Sequence, residues 1–88
     1  VMAAYDLVVA TPDGELFNGK AQMLTVRGVS GDLAIMALHA PFVTSVKKGE
    51  CKIIAEDGSI IKAVTDGGLL TVSNDKTVYL TSSFKKIE

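Results

Sequence analysis

Few side chains in this 88-residue sequence have the types and spacing that catalysis needs. His39 is the single histidine, and Ser30 or Ser45 with Asp32 would match a Ser–His–Asp triad by residue type alone. Neither serine lies in the Gly-x-Ser-x-Gly pattern that holds a nucleophile at a strand-to-helix turn. We therefore expect His39 to be a structural or interface residue rather than a catalytic base.

Binding sites for phosphate or metal are not indicated either. The run Gly28-Val29-Ser30-Gly31 lacks the Lys-Ser/Thr and the helix start of a phosphate loop, so it predicts a turn. One cysteine and one histidine cannot supply a zinc site, and no two carboxylates are placed as an acid–base pair. Cys51 lies on the inward phase of a predicted strand, which indicates a small buried hydrophobic residue. We expect no enzyme activity, no cofactor and no metal.

The composition excludes further classes. Nine Lys+Arg against ten Asp+Glu give a net charge of −1, which leaves no electrostatic footprint for nucleic acid. No apolar run approaches the ~20 residues of a membrane helix, and a single cysteine cannot form an internal disulfide. The length predicts one soluble domain over residues 1–88. Because tryptophan is absent and aromatic residues are few, its core should be aliphatic.

Short runs with a period of two, separated by Gly, Asp and Asn, predict β-strands and no helix. This pattern is typical of an antiparallel sandwich or barrel. The turn Glu56–Ser59 predicts a tight hairpin, since Gly58 readily adopts a positive φ. Residues 82–88 lose the alternation and gain charge, which predicts the exit from the domain. The inward-pointing sets are Tyr5, Leu7 and Val9; Cys51, Ile53 and Ala55; Ile61 and Ala63; Leu70 and Val72; Val78 and Leu80.

One strand changes its apolar phase partway along. Phe17, Gly19, Ala21 and Met23 share a phase, after which the apolar set switches to Leu24 and Val26. A strand cannot exchange faces without an extra residue, so the switch predicts a bulge near Gln22-Met23. Alternatively, the strand twists from one sheet to another. Both interpretations place a bent strand at a corner of the sandwich.

Several strands are also partly apolar on the phase opposite the predicted core. Scattered apolar surface residues need no explanation. If these residues converge on one sheet face, however, they form the kind of patch that marks a protein partner. The residues concerned are Val8, Ala10, Ile54, Ile60, Val64 and Leu69.

Four motifs in order carry a family resemblance. They are TPDGELFNG at 11–19, GDLAIMALHAP at 31–41, DGGLLTV at 66–72 and TVYL at 77–80. From about Tyr5 to Ser82 the sequence resembles the N-terminal domain of the epsilon subunit of F-type ATP synthases. The resemblance implies an all-β fold, a flattened antiparallel β-sandwich of two roughly five-stranded sheets. In the family a helical hairpin follows, which inhibits ATP hydrolysis and in some members binds ATP. That hairpin is absent from this sequence, so no ATP site is carried over.

The resemblance also implies a non-catalytic role. The family domain sits on the central stalk, contacts the gamma subunit and the c-ring, and helps couple proton or sodium flux to ATP synthesis in the alpha/beta head. It is a peripheral protein on the cytoplasmic face of the bacterial membrane, or the matrix or stromal face in an organelle. The alternative function is a free-standing β-sandwich module for protein interaction or ligand binding. An isolated domain with an exposed apolar face could also self-associate.

Contact residues follow from the resemblance position by position. The sequence departs from the family at Ala34 and Leu38, where glycines are usual, and at Asp66, where a small residue such as serine is common. These changes bear on the shape of the c-ring contact and on the gamma contact. The expected c-ring contacts are Ser30, Gly31, Asp32, His39, Ala40 and Pro41, and the expected gamma contacts are Ala10, Val43, Thr44, Val64, Thr65 and Asp66.

Overall fold

A computed structural model describes residues 4–28, 31–36, 41–73 and 76–87, which contain nine β-strands and no helix. Accordingly, the described residues include no helix with the length and hydropathy needed to cross a bilayer. The strands are β1 Tyr5–Thr11, β2 Gly14–Gly28, β3 Gly31–Met36, β4 Phe42–Val46, β5 Gly49–Ala55, β6 Ile60–Thr65, β7 Gly68–Val72, β8 Thr77–Thr81 and β9 Phe84–Ile87.

The long strand β2 takes part in two five-stranded layers. Its first half pairs with β1, and the layer continues through β8 and β7 to β4; we call this layer sheet I. Its second half lies between β3 and β5, and that layer continues through β6 to β9; we call this layer sheet II. A single pair, Gly28 with Val46, joins β2 to β4. The predicted sandwich of two five-stranded sheets is confirmed.

One pairing differs from the antiparallel expectation. β1 and β8 run parallel, with Leu7 opposite Thr77 and Ala10 opposite Leu80. The other pairings between described strands are antiparallel. These two strands come from opposite ends of the chain, so no short turn dictates their relative direction and no local pattern could have revealed it.

The bulge predicted in β2 is present. The register between β2 and β5 slips between Ala21 and Met23, and the Gln22 side-chain amide donates a hydrogen bond to the Glu56 carbonyl oxygen at 3.0 Å. The strand also passes from sheet I to sheet II at this point, so both interpretations of the phase switch hold. The bend lets β2 bury Ala21 in one phase and Leu24 in the other.

The core lies between the sheets and is mainly aliphatic, as expected. Cys51 is 1% exposed within it, and burial raises the pKa of its thiol from 9.0 to about 12. The prediction that Cys51 is a small buried residue is therefore confirmed. The core cluster comprises Leu7, Val9, Ala21, Leu24, Val26, Ile35, Val46, Cys51, Ile53, Leu70, Val72 and Tyr79.

The inward phase predicted for β8 is wrong. Thr77, Tyr79 and Thr81 are buried, whereas Leu80 is 48% exposed. Tyr79 rather than Leu80 faces the core because its hydroxyl is hydrogen-bonded there to the Thr65 hydroxyl, at 2.6 Å. Thr81 is satisfied as well, since its hydroxyl donates to the Gly67 carbonyl oxygen at 2.7 Å.

Two other local expectations have different outcomes. The β5–β6 hairpin forms as predicted, and Gly58 has a φ of 91°. Ala55 closes its loop by donating to Ser59 and accepting from Gly58. The expectation that residues 82–88 form the exit from the domain is wrong for Phe84–Ile87, because β9 pairs with β6 at the edge of sheet II. The missing alternation fits an edge strand, of which little is buried.

Candidate functional site

The outer face of sheet I carries two neighbouring rows of mainly apolar side chains. One row of cross-strand neighbours joins Ala10, Leu80 and Leu69, and the next joins Val8, Val78, Thr71 and Val43. The exposed fractions are 62% for Val43, 48% for Leu80 and 43% for Leu69. We call this surface the sheet I face, defined by Val8, Ala10, Val43, Leu69, Val78 and Leu80.

The predicted second apolar face is divided between the two sheets. Val8, Ala10 and Leu69 lie together on the sheet I face. Val78 and Leu80 also belong to the sheet I face, although the alternation in the sequence predicts them in the core. The sequence shows that Val78 and Leu80 alternate with Thr77, Tyr79 and Thr81, but this alternation does not tell which of the two sets faces the core.

The outer face of sheet II differs in character. Met36, Met23, Ile54 and Ile60 are cross-strand neighbours and form an apolar row at one end of the sheet. The adjacent row is charged, with Lys52 directly opposite Lys62. Like charges in register oppose each other, so this face is suited to solvent or to a polar partner.

An open groove of about 560 Å³ borders the sheet I face at the ends of β1 and β8. Gly67 and Gly68 both have positive φ, at 84° and 154°, and their backbone runs close to neighbouring strands. A Cβ atom at Gly67 would overlap the Val46 carbonyl oxygen, and one at Gly68 would overlap that of Leu80. The paired glycines of the DGG motif are therefore required by geometry. The groove is lined by Ala10, Thr11, Pro12, Asp66, Gly67, Gly68, Leu80, Thr81 and Ser82.

The structure brings some of the expected gamma contacts together. Ala10 and Val43 lie on the sheet I face, and Asp66 lines the groove beside Ala10. The Asp66 carboxylate is exposed, and its nearest cation is Lys48 Nζ at 4.0 Å.

The remaining three expected gamma contacts lie elsewhere. Val64 projects from the outer face of sheet II, where it is 40% exposed between Glu50 and Lys85. Thr44 lies in register with buried Leu70 and so on the inner side of β4. Thr65 is 2% exposed, and its hydroxyl is bonded to Tyr79 in the core.

Three of the six expected c-ring contacts are among the described residues. Gly31 and Asp32 begin β3, and exposed Pro41 precedes β4. The Asp32 carboxylate lies 3.9 Å from Arg27 Nε, and both side chains are more than half exposed. Such a pair contributes little to stability, so the Asp32 carboxylate is available to a partner. Ser30, His39 and Ala40 lie outside the described residues.

The described titratable side chains with shifted pKa values take part in hydrogen bonds or packing of the fold. Among the described residues no three His, Cys, Asp or Glu residues come together as a metal site. The pKa of Asp57 is lowered by hydrogen bonds from Ser59, which stabilise a surface turn. Burial raises the pKa values of Tyr5 and Tyr79, and both hydroxyls are bonded within the sandwich.

Comparison with known proteins decides the family. Residues 4–87 match the model of the ATP synthase Delta/Epsilon chain beta-sandwich domain. The chain belongs to this family. It is 39% identical over 79 residues to the sodium-ion-specific ATP synthase epsilon chain of Propionigenium modestum, covering 90% of this chain and 57% of that protein. It is 37% identical over 82 residues to the ATP synthase epsilon chain of Ruminiclostridium cellulolyticum, covering 93% and 60%.

Solved structures have the same fold. A chain of the Euglena gracilis mitochondrial ATP synthase, in a structure of its OSCP/F1/c-ring, matches with a TM-score of 0.88 and 19% identity. That match covers 98% of this chain and 55% of the Euglena chain. A chain from the central stalk and c-ring of the Tetrahymena thermophila enzyme matches with a TM-score of 0.77 at 18% identity, covering 94% and 66%. The present chain thus spans somewhat more than half the length of these curated relatives.

Proposed function

We propose that this domain is the epsilon-type β-sandwich of an F-type ATP synthase and acts as a non-catalytic rotor component of the central stalk. It docks on the gamma subunit and the c-ring and so helps couple ion translocation to ATP synthesis. Its connection to the catalytic alpha/beta head is indirect, through the gamma subunit. This role places it on the membrane-associated part of the complex, at the cytoplasmic face in a bacterium.

Family membership over residues 4–87 is the observation that carries the proposal. The relatives are named as ATP synthase epsilon chains, and the matched structures include a central stalk with its c-ring. A domain made of strands, with no metal-ligating cluster among its described residues, is suited to binding rather than to chemistry.

The sheet I face supports docking on the gamma subunit. Val8 is buried, but Leu69, Leu80 and Val43 are 43–62% exposed, and exposed apolar side chains grouped on one face are typical of a surface that a partner covers. Ala10 and Val43, both expected gamma contacts, belong to this face, and Asp66 borders it. The other three expected gamma contacts are less suited to this surface. Thr44 lies on the inner side of β4, Val64 on the outer face of sheet II and Thr65 in the core.

The start of β3 supports a polar contact with the c-ring. Asp32 presents a loosely paired carboxylate next to Arg27. A charge of this exposure steers association and contributes little affinity of its own. The c-ring contact should therefore depend on several residues of the two expected segments, of which Ser30, His39 and Ala40 are also part.

A titration of this chain against the purified gamma subunit of the same organism tests the proposal. Leu80→Asp places a charge in the sheet I face and should weaken binding by at least about thirtyfold. Ile60→Asp, the matched control on sheet II, should bind as the unaltered chain does, as should Asp32→Ala. Circular dichroism establishes that each variant is folded.

A free-standing interaction module is the alternative function. Such a module has no reason to bind a gamma subunit, so folded protein that fails to bind gamma would support it and contradict the rotor assignment. Binding that Ile60→Asp abolishes and Leu80→Asp spares would keep the rotor assignment but move the docking surface to sheet II.

A further inference from the structure

We propose that the groove beside the sheet I face is an anchor site for a gamma-subunit segment in which a basic side chain accompanies a bulky apolar one, and that Asp66 selects the basic side chain. This inference rests on the proposed function and adds the chemistry of the partner segment.

The groove continues the apolar surface rather than forming a separate site. Ala10 and Leu80 belong both to the sheet I face and to the groove lining. The groove is open to solvent and has a volume of about 560 Å³, so a large apolar side chain can lie along it beside a neighbouring side chain. Concave sites at the margin of an apolar face are where anchoring side chains of a partner bind.

The shape of the groove is fixed by the backbone. Gly67 and Gly68 line it, and neither can carry a side chain without overlap with a neighbouring carbonyl oxygen. Thr81 holds the Gly67 carbonyl through a buried hydrogen bond of 2.7 Å. A site preformed in this way needs little ordering when a partner binds, which favours affinity.

Among the described residues that line the groove, Asp66 is the only charged one. Its contact with Lys48 is long, at 4.0 Å, and the two side chains are 51% and 75% exposed. A pair of this geometry contributes little, so a better-placed cation can replace Lys48. The groove therefore combines apolar walls with one available carboxylate.

A guanidinium or ammonium group complements this carboxylate. An arginine is the better match, because its planar fork can bond both carboxylate oxygens while its stem packs on apolar walls. The remaining wall residues, Thr11, Pro12 and Ser82, offer no charge that would oppose a cation.

Binding kinetics with the purified gamma subunit as probe test the inference. Asp66→Asn keeps the shape of the side chain and removes its charge. It should raise the Kd about tenfold at low salt, mainly through a slower association rate, and make the Kd less sensitive to salt. Asp66→Glu should retain most of the affinity. Glu56→Gln removes the same charge from the exposed β5–β6 turn and should change the Kd by less than about twofold.

The outcomes separate the two proposals. If the unaltered chain does not bind gamma, the proposed function fails. If the unaltered chain binds and Asp66→Asn binds equally well, only the anchor inference fails. Equal losses of affinity for Asp66→Asn and Glu56→Gln would show that net charge, and not the position of Asp66, affects binding, and this result would also overturn the proposed role of Asp66. Unfolding curves for the variants show whether any loss arises from stability instead.

Discussion

Both tyrosines of the chain join the two sheets through their hydroxyl groups. Tyr79 of sheet I bonds the Thr65 hydroxyl of sheet II at 2.6 Å, and Tyr5 donates to the Ile35 carbonyl oxygen at 2.7 Å. Polar groups buried between sheets are tolerated only when they are satisfied. These two contacts therefore fix how the sheets face each other, in addition to the non-directional packing of the aliphatic core.

Removal of the Tyr79 hydroxyl should lower the free energy of unfolding by more than the net contribution of its hydrogen bond. Tyr79→Phe leaves the buried Thr65 hydroxyl without its partner and should lower the free energy of unfolding by about 1–3 kcal/mol. Urea denaturation measures the change. The double variant Tyr79→Phe with Thr65→Val removes both polar groups and should be less destabilised than the sum of the single variants. Strict additivity would mean that the two hydroxyls are not coupled.

Buried thiol and phenol groups should make the fold sensitive to alkali. Burial raises the pKa of Cys51 from 9.0 to about 12 and raises those of Tyr5 and Tyr79 above their usual 10.0. Below pH 9 these groups are protonated in both the folded and the unfolded chain, so their contribution to the free energy of unfolding is fully present. Above pH 9 the unfolded chain loses protons that the folded chain retains, so the free energy of unfolding should fall as pH rises.

Denaturation series at pH 7, 9 and 10 check this dependence. A Cys51→Val variant lacks the thiol and should lose less stability between pH 9 and 10 than the unaltered chain. Identical slopes for the two proteins would contradict a role for Cys51.

At the scale of elements, the connection from β6 to β7 is the most constrained segment. Its two glycines have positive φ and lie against backbone carbonyls of β4 and β8. The same connection supplies the wall of the groove, so its conformation links the fold to the candidate site.

Gly68→Ala should therefore destabilise the domain strongly. The added Cβ would overlap the Leu80 carbonyl oxygen, and the positive φ is unfavourable for alanine, so we expect a loss of about 2 kcal/mol or more. Gly19→Ala is the matched control, because its Cβ would meet only Phe17 Cζ at 4.0 Å. It should be neutral or slightly stabilising. Equal thermal midpoints for the two variants would show that the close approach at Gly68 can relax.

The strands show where prediction from sequence succeeds and where it stops. Alternation located β5 and the bulge in β2, since burial on one face imposes a period of two. It failed for β8, where Thr77, Tyr79 and Thr81 became the inner phase through hydrogen bonds to distant residues. Local patterns contain no information about such partners.

Prediction of the candidate site from the sequence has the same limit. The alternation placed Ala10 and Val64 correctly on the non-core side of their strands, but could not assign the two strands to different sheets. That assignment depends on long-range pairing, such as β1 with β8 and β6 with β9. The groove does not follow from the sequence pattern, because its walls come from three separate segments, residues 10–12, 66–68 and 80–82.

At the scale of the whole molecule, the two outer faces are unequal. The sheet I face is apolar and is bordered on the same side by the Asp6–Lys20 ion pair, whereas sheet II places Lys52 and Lys62 directly beside its apolar row. In the absence of a partner, the apolar face should drive self-association at high protein concentration. Sedimentation velocity would detect this as a rise in apparent mass, which Leu80→Asp should abolish. A monomer at every concentration would contradict the prediction.

The shared strand β2 has a mechanical consequence. Two sheets held together only by side-chain packing can slide over each other, since dispersion contacts resist shear weakly. Here the backbone of β2 passes from sheet I into sheet II through the bulge at Ala21–Met23, so a lateral load on one sheet reaches the other through covalent bonds. The sandwich should therefore respond to torque as one stiff body, with β2 carrying the load between its layers.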